Sequence, residues 1–291
     1  MNGKLNKIVS LTLIITLFTA MAVPKGTFAE ATSVEIPPKI LFGEVDENKP
    51  DEFDFDDEDY IEMDEKDFFR ELEEDEDFEA LDQIDDLSAM SPAEREVIKK
   101  IDDYLDSIPV TKEEFSLLSD EEQDKIIEEY LFTPELFDLE RELERVSLQE
   151  GDEQVAAALP AVIVAVGAGV IARVAIRLII RQGAAAASKY LKKRLKNVGK
   201  NYEVKWNVTS KTGHQVNSLV VVFQKTKKGK KRVFAIDKGT IPLKGLTGKR
   251  PRVWHYHHYP DVALHRTLCS LLPKGAKTIP NGKPDRRSVC Y

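Results

Sequence analysis

The chain has little cysteine and lacks the short motifs that mark common cofactors. Its 291 residues include only Cys269 and Cys290, which leaves two readings: one bridge across about twenty residues, contributing roughly 3 kcal/mol outside the cell, or two free thiols. The sequence shows no phosphate-binding glycine loop, no internal repeat and no standard zinc motif. We therefore expect neither a mononucleotide-binding enzyme nor a repeat protein, and no cofactor.

Acidic residues are scarce from Gln154 to the C-terminus, where 28 Lys and Arg accompany four acids and give +24. The preceding residues carry 14 basic and 47 acidic side chains, or −33, so the net charge of −9 conceals a division into an acidic and a basic half. This division predicts that the acidic half is an intramolecular partner of the basic half, or that the basic half binds a polyanion such as RNA or an anionic membrane.

The first apolar run is too short to span a bilayer, which needs about 20 residues. It extends from Ile8 to Ala20 behind two lysines, and Ala29 and Ala31 provide small residues for cleavage. This order is typical of a secretory signal peptide, here residues 1–31. We therefore expect a secreted, extracellular protein.

The acidic half divides into two parts. Residues 32–90 are dense in Asp and Glu, and self-repulsion predicts a low-order segment, whose aromatic residues either dock on the basic half or are disordered. Residues 91–150 repeat a helix-start signal, the capping box, at Ser91, Thr111 and Ser119. Apolar residues at helical spacing follow each box, so this part is predicted to be an acidic helical domain.

An uncharged run from Ala156 to Ala172 leads into arginines spaced four residues apart. The pattern predicts an apolar helix over residues 156–181, and residues 157–180 reach the length of a membrane span. Two arginines fall inside that span, and each costs about 2.5 to 3.5 kcal/mol near a bilayer centre unless it snorkels to the interface. A membrane segment therefore stays an alternative.

Residues 186–291 are predicted to form a small basic antiparallel β-sheet domain with flanking helices, so the fold class is α+β. A basic amphipathic helix is expected at residues 188–198, and a short helix at residues 261–272. Alternation and short apolar runs predict four strands at residues 202–208, 219–223, 233–236 and 253–258.

Four of the five histidines lie between His255 and His265. On a strand, His255 and His257 project to one face, and Trp254, Tyr256 and His258 project to the other. We take this cluster as the candidate site.

One interpretation is metal-independent general acid and base catalysis on RNA, in which one imidazole is neutral and another protonated near neutral pH. The catalytic candidates are His255, His257, His265 and Asp237. Asp237 orients a histidine or substrate, or simply begins a turn before Gly239. Basic side chains are expected to hold the phosphate: Arg252, Lys238, Arg232, Lys228 and Lys230.

Two other interpretations of the cluster stay open. His255, His257 and His265 would chelate zinc or another divalent ion, with Asp237 or Asp261 nearby, although the spacing matches no standard motif. Alternatively, the histidines are only hydrogen-bonded parts of a polar strand.

The order of these segments resembles small secreted toxins of Gram-positive bacteria, within the polymorphic toxin group. The resemblance covers residues 157–265 and is carried by the apolar Ala-Leu-Pro-Ala helix and by the sequence from Trp254 to His257 with the later His265. It implies a nuclease related to barnase and colicin ribonuclease folds, and an immunity protein as partner.

We therefore expect a secreted toxin precursor whose basic domain acts on RNA or another phosphodiester. The acidic half is expected to inhibit this domain until proteolysis between Leu148 and Ala158 releases it. One alternative is a membrane-active cationic toxin or bacteriocin that inserts its apolar helix. Another is a non-enzymatic, polyanion-binding protein of the cell envelope.

Overall fold

A computed structural model describes residues 60–74, 90–149, 167–210, 216–227, 229–246, 250–283 and 286–291. These residues form seven helices and one seven-stranded sheet, which confirms the α+β class. The predicted signal peptide and most of the predicted processing region lie outside the described residues.

The helices of the acidic half begin where the capping boxes predict. In each box the Ser or Thr side chain accepts from the backbone N–H three residues later, and the Glu there accepts from the cap N–H. The helices are α1 (Glu65–Glu74), α2 (Pro92–Asp106), α3 (Lys112–Leu117), α4 (Asp120–Leu131), α5 (Pro134–Gln149), α6 (Ala168–Gln182) and α7 (Ala184–Arg194).

The sheet follows the order of the chain from strand to strand. Its strands are β1 (Tyr60–Glu62), β2 (Tyr202–Ser210), β3 (Asn217–Thr226), β4 (Gly229–Thr240), β5 (Arg252–His258), β6 (Asp261–Thr267) and β7 (Ser288–Cys290). All pairings are antiparallel except the parallel pair β6–β7. A disulfide joins Cys269 to Cys290 and ties the C-terminal strand to the segment after β6.

Helix α6 lies between the acidic helices and the sheet. It contacts α2, α3, α5 and α7 as well as β4 and β5, and eleven of its fifteen residues are buried. A helix buried on most of its surface needs a nearly continuous apolar sequence, which accounts for the part of the apolar run that lies in α6, residues 168–172. Residues 156–166 of the predicted helix lie outside the described residues. Within the described ranges, no helix is both long and apolar enough to cross a membrane.

Two segments differ from the sequence prediction. The helix predicted at residues 261–272 is wrong: pairing with β5 and β7 makes residues 261–267 a strand, and only a 3-10 turn at Cys269–Leu271 follows. Residues 60–74, in the predicted low-order segment, form β1 and α1 because their aromatic residues dock on the basic half. Tyr60 meets Phe223 edge-on at 6.0 Å, and Phe68 is fully buried.

Candidate functional site

The predicted site residues lie on two opposite faces of the sheet, because successive strand residues alternate. His255 pairs with Asp237 and His257 pairs with Ala235 across β4 and β5, so these four project from what we call the histidine face. Lys238 pairs with Trp254 on the other side, the helix face, which packs against α6.

His265 joins the two strand histidines through β6. Thr267 pairs with His255, so His265, two residues earlier, also projects from the histidine face. The ring centroids lie 5.1 Å apart for His255 and His257, 5.2 Å for His255 and His265, and 4.7 Å for His257 and His265. We call these three rings the histidine cluster. His255 and His257 are buried, whereas His265 is half-buried.

A β-bulge adds Arg232 to this face. Arg232 and Asp237 are five residues apart and would project to opposite sides of a regular strand, but the register with β3 shifts between Val222 and Phe223. Arg232 Nη1 therefore lies 3.8 Å from Asp237 Oδ2, and Nη2 donates to the carbonyl of Val262 at 3.1 Å. Both side chains are buried, which makes this a neutralising pair inside the site.

Each ring of the cluster has one nitrogen directed at an acceptor. His255 Nδ1 lies 3.0 Å from the carbonyl oxygen of Val253, and His265 Nδ1 lies 3.1 Å from that of Arg287. A carbonyl only accepts, so these contacts assign the proton to Nδ1 and the lone pair to Nε2. His257 is reversed: its Nε2 lies 3.4 Å from Asp237 Oδ2, and its buried Nδ1 has no hydrogen-bond partner within the described residues.

Burial keeps all three rings neutral. It lowers the pKa of His255 to about 4 and that of His265 to about 3, and it lowers the pKa of His257 well below the usual value, helped by the charge of Arg232. Burial also raises the pKa of Asp237, against the opposing effect of Arg232. The cluster thus presents three neutral imidazoles near pH 7, rather than the one protonated and one neutral ring that the sequence predicts.

Lys238 and Arg252, expected beside the histidines, lie on the helix face instead. The ammonium of Lys238 donates to the Leu72 carbonyl of α1 at 2.9 Å, and Arg252 Nη2 donates to the Lys238 carbonyl at 3.2 Å. Asn217, which pairs with Lys238, donates to Glu71 of α1 at 3.2 Å. Helix α1 of the acidic half therefore covers Lys238 and Asn217 on this face.

Of the two lysines predicted on the β3–β4 hairpin, the one that the structure describes, Lys230, does not contact the cluster. Lys230 contacts Glu203 at 3.0 Å, on the neighbouring strand β2, and Lys228 lies outside the described residues. The structure therefore brings together His255, His257, His265, Asp237 and Arg232.

Of the groups that orient the cluster, Asp237 was a candidate from sequence, and the others were not predictable. The acceptors for His255 and His265 are backbone carbonyls, which every residue carries and no residue type marks. The cover over Lys238 comes from a segment more than 160 residues away in the chain. Comparisons with protein-family models, with curated proteins and with solved structures found no match to this chain, so the resemblance to secreted toxins stays a prediction.

Proposed function

We propose that the chain is a secreted toxin precursor in which the acidic half restrains a basic half that acts on RNA or another phosphodiester. The observation that carries this proposal is the pairing of charge between the two halves. We assign the activity to the histidine cluster with Asp237, and contact with the reacting phosphate to Arg232 on the same face. The basic side chains that the acidic half covers, on the helix face, are assigned to the rest of the polyanion.

All seven Lys and Arg side chains of α6 and α7 form ion pairs with acids of the acidic half, at distances of 2.5 to 3.3 Å. The pairs are Arg173 with Glu94, Arg177 with Asp102, Arg181 with Asp106, Lys189 with Asp124, Lys192 with Glu65, Lys193 with Glu128, and Arg194 with Glu140. Carboxylates thus occupy the positions where a polyanion would place its phosphates.

These pairs differ in what they contribute to stability. Exposed pairs such as Lys192 with Glu65 contribute at most about 1 kcal/mol each and mainly neutralise charge. Arg194 and Glu140 are buried together, and Arg177 is buried against Asp102. Breaking a buried pair leaves an uncompensated charge, so these two pairs anchor the acidic helices.

Segment β1–α1 extends the restraint to the sheet. On the helix face, α1 covers Lys238 and Asn217. On the histidine face, Tyr60 of β1 packs in one apolar cluster with Val208, Val221, Phe223 and Ala235, and Ala235 is the cross-strand neighbour of His257. Removal of the acidic half would therefore expose basic groups on one face and loosen the wall of the histidine cluster on the other.

To test the proposal, a protease site is placed within residues 150–158 of the full chain, and the cleaved halves are separated in urea and refolded. The refolded basic half is expected to degrade RNA, whereas the uncleaved chain does not. Adding back the acidic half should suppress the activity. His257→Ala in the basic half should remove it, because His257 is the ring held by Asp237.

The chain without the introduced site, treated with the same protease, is the matched control, and circular dichroism verifies that each fragment is folded. Equal activity of cleaved and uncleaved chains would refute the restraint. A folded basic half that leaves RNA intact, with and without divalent metal, would refute the phosphodiesterase.

A second function, permeation of anionic membranes, is favoured by α6 and α7, which combine an apolar core sequence with seven basic residues. Release of the acidic half would expose both. Leakage of phosphatidylglycerol vesicles by the refolded basic half, without cleavage of RNA, would support this function over the first.

A further inference from the structure

We infer that the histidine cluster is a binding site for a divalent transition metal ion such as Zn²⁺, with His255, His257 and His265 as its three ligands. This inference goes beyond the proposed function and does not depend on it, because metal binding can be measured without RNA.

The first argument is the arrangement of the nitrogens. One ligand atom from each ring lies within 4.8 Å of the others. A zinc ion with Zn–N bonds of about 2.0 to 2.1 Å needs nitrogens about 3.3 Å apart, so closing the site takes inward movement of at most about 1.5 Å. Three imidazole nitrogens with an open fourth position are a ligand set that zinc uses when it also binds water or substrate.

The second argument is the orientation of the rings. A metal-binding histidine ordinarily donates its other N–H to a carbonyl or carboxylate, which fixes the ring and its tautomer. Two rings have such a partner, the carbonyls of Val253 and Arg287, and the third ring, His257, has the carboxylate of Asp237 3.4 Å from its Nε2. The lone pairs left over are Nε2 of His255, Nε2 of His265 and Nδ1 of His257.

The third argument is the unsatisfied nitrogen. Nδ1 of His257 is buried and has no hydrogen-bond partner within the described residues. A buried polar atom without a partner costs about 1 to 3 kcal/mol. His257 Nδ1 is one of twelve such atoms in the described residues, and it is the one that belongs to a ring of the cluster. A metal ion would accept this lone pair together with the other two.

The charges in the site favour an anion as the fourth ligand. Arg232 and Asp237 form a buried pair whose charges cancel, so they leave the two positive charges of the ion uncompensated. Hydroxide or a phosphate oxygen would balance part of this charge. The half-buried His265 is the ring nearest the solvent, so exchange of the fourth ligand takes place on its side.

The test uses the untagged, chelator-treated full chain with Zn²⁺ in calorimetry and Co²⁺ in visible absorption. We expect one ion per chain and the intense bands of tetrahedral Co²⁺, which ions bound weakly by surface carboxylates lack. His255→Ala, His257→Ala and His265→Ala should each abolish this binding. Asp237→Asn should weaken it by about 10- to 100-fold, because it removes the partner that orients His257.

The matched control is His258→Ala. His258 belongs to the same strand but stacks on Tyr256 at 5.8 Å on the helix face, so this variant should bind metal like the wild type. If the cluster variants fail to fold, the thermal midpoint of unfolding is measured with and without Zn²⁺ for the wild type and for His258→Ala. Zn²⁺ should raise the midpoint of both proteins, because an ion bound to the folded state stabilises it. No tetrahedral Co²⁺ signal and no Zn²⁺ stabilisation in the wild type, or binding that survives all three substitutions, would overturn the inference.

Discussion

At the scale of single residues, Glu140 shows how the acidic half is anchored. Its carboxylate is fully buried, accepts a hydrogen bond from the Tyr190 hydroxyl and lies 2.7 Å from Arg194, which stacks over Phe137. Burial raises the pKa of Glu140 more than the charge of Arg194 lowers it. The pair is therefore costly to break but is not in itself a strong source of stability.

We predict that Glu140→Gln lowers the free energy of unfolding by about 3 to 5 kcal/mol, because the Arg194 charge stays buried without its carboxylate. The double variant Glu140→Leu with Arg194→Met should recover most of this loss. Urea unfolding followed by circular dichroism measures both. The control is Glu96→Gln, in an exposed pair with Lys100, where the change should be under about 1 kcal/mol. A single variant as stable as the wild type would contradict the anchoring role.

At the scale of elements, Glu94 connects three helices. It belongs to α2, accepts a hydrogen bond from Ser147 of α5 at 2.7 Å and pairs with Arg173 of α6 at 3.3 Å. Burial by itself raises the pKa of Glu94, but the Ser147 hydrogen bond and the Arg173 charge outweigh it, and the pKa falls below its usual value of 4.5. The ionised form is therefore favoured in the folded protein.

A lowered carboxyl pKa adds stability above the unfolded-state pKa and loses it as the pH falls through the folded-state pKa. We predict that Glu94→Gln is less stable than the wild type at pH 7. The difference should shrink steadily once the pH drops below about 4.5. Unfolding free energies measured from pH 7 down to pH 3 give this comparison. A difference that is constant across the range would show that Glu94 acts by packing and not by charge.

Elements that depend on local pattern were predictable, and elements that depend on distant partners were not. Capping boxes predicted the starts of α2, α3 and α4, two-residue alternation predicted β2, and short apolar runs predicted the cores of β3 and β4. The bulge that turns Arg232 to the histidine face leaves no mark in the sequence. Strand β1 and strand β6 exist because of their pairing partners, and their own sequences did not indicate strands.

At the scale of the whole molecule, the charge division predicted from sequence corresponds to a contact surface, but one that also contains an apolar core. Val97, Ile98 and Ile101 of α2 belong to the same buried cluster as Ile171 and Val174 of α6. Charge pairs are screened by salt, whereas apolar contacts are not. Apolar contacts therefore hold the two halves together in addition to the ion pairs.

We predict that a chain cleaved within residues 150–158 keeps its two halves together in about 1 M salt, where the screening length is only about 3 Å. Size-exclusion chromatography should show one complex, and calorimetry should show one cooperative unfolding transition, because the core is shared. Separation of the halves by salt alone, or two unfolding transitions, would mean that the ion pairs hold the complex without the core.

The pairing of strand β1 with β2 affects how fast the two halves separate after cleavage. Its three residues pair with Val208, Thr209 and Ser210 of β2, so the acidic half is part of the sheet of the half it restrains. A single cut after α5 leaves those hydrogen bonds in place, and the sheet then has to give up an edge strand before the halves part. In the proposed precursor, cleavage would therefore begin activation without setting its rate. The delay between cleavage and activity would be set by the dissociation of strand β1 from β2.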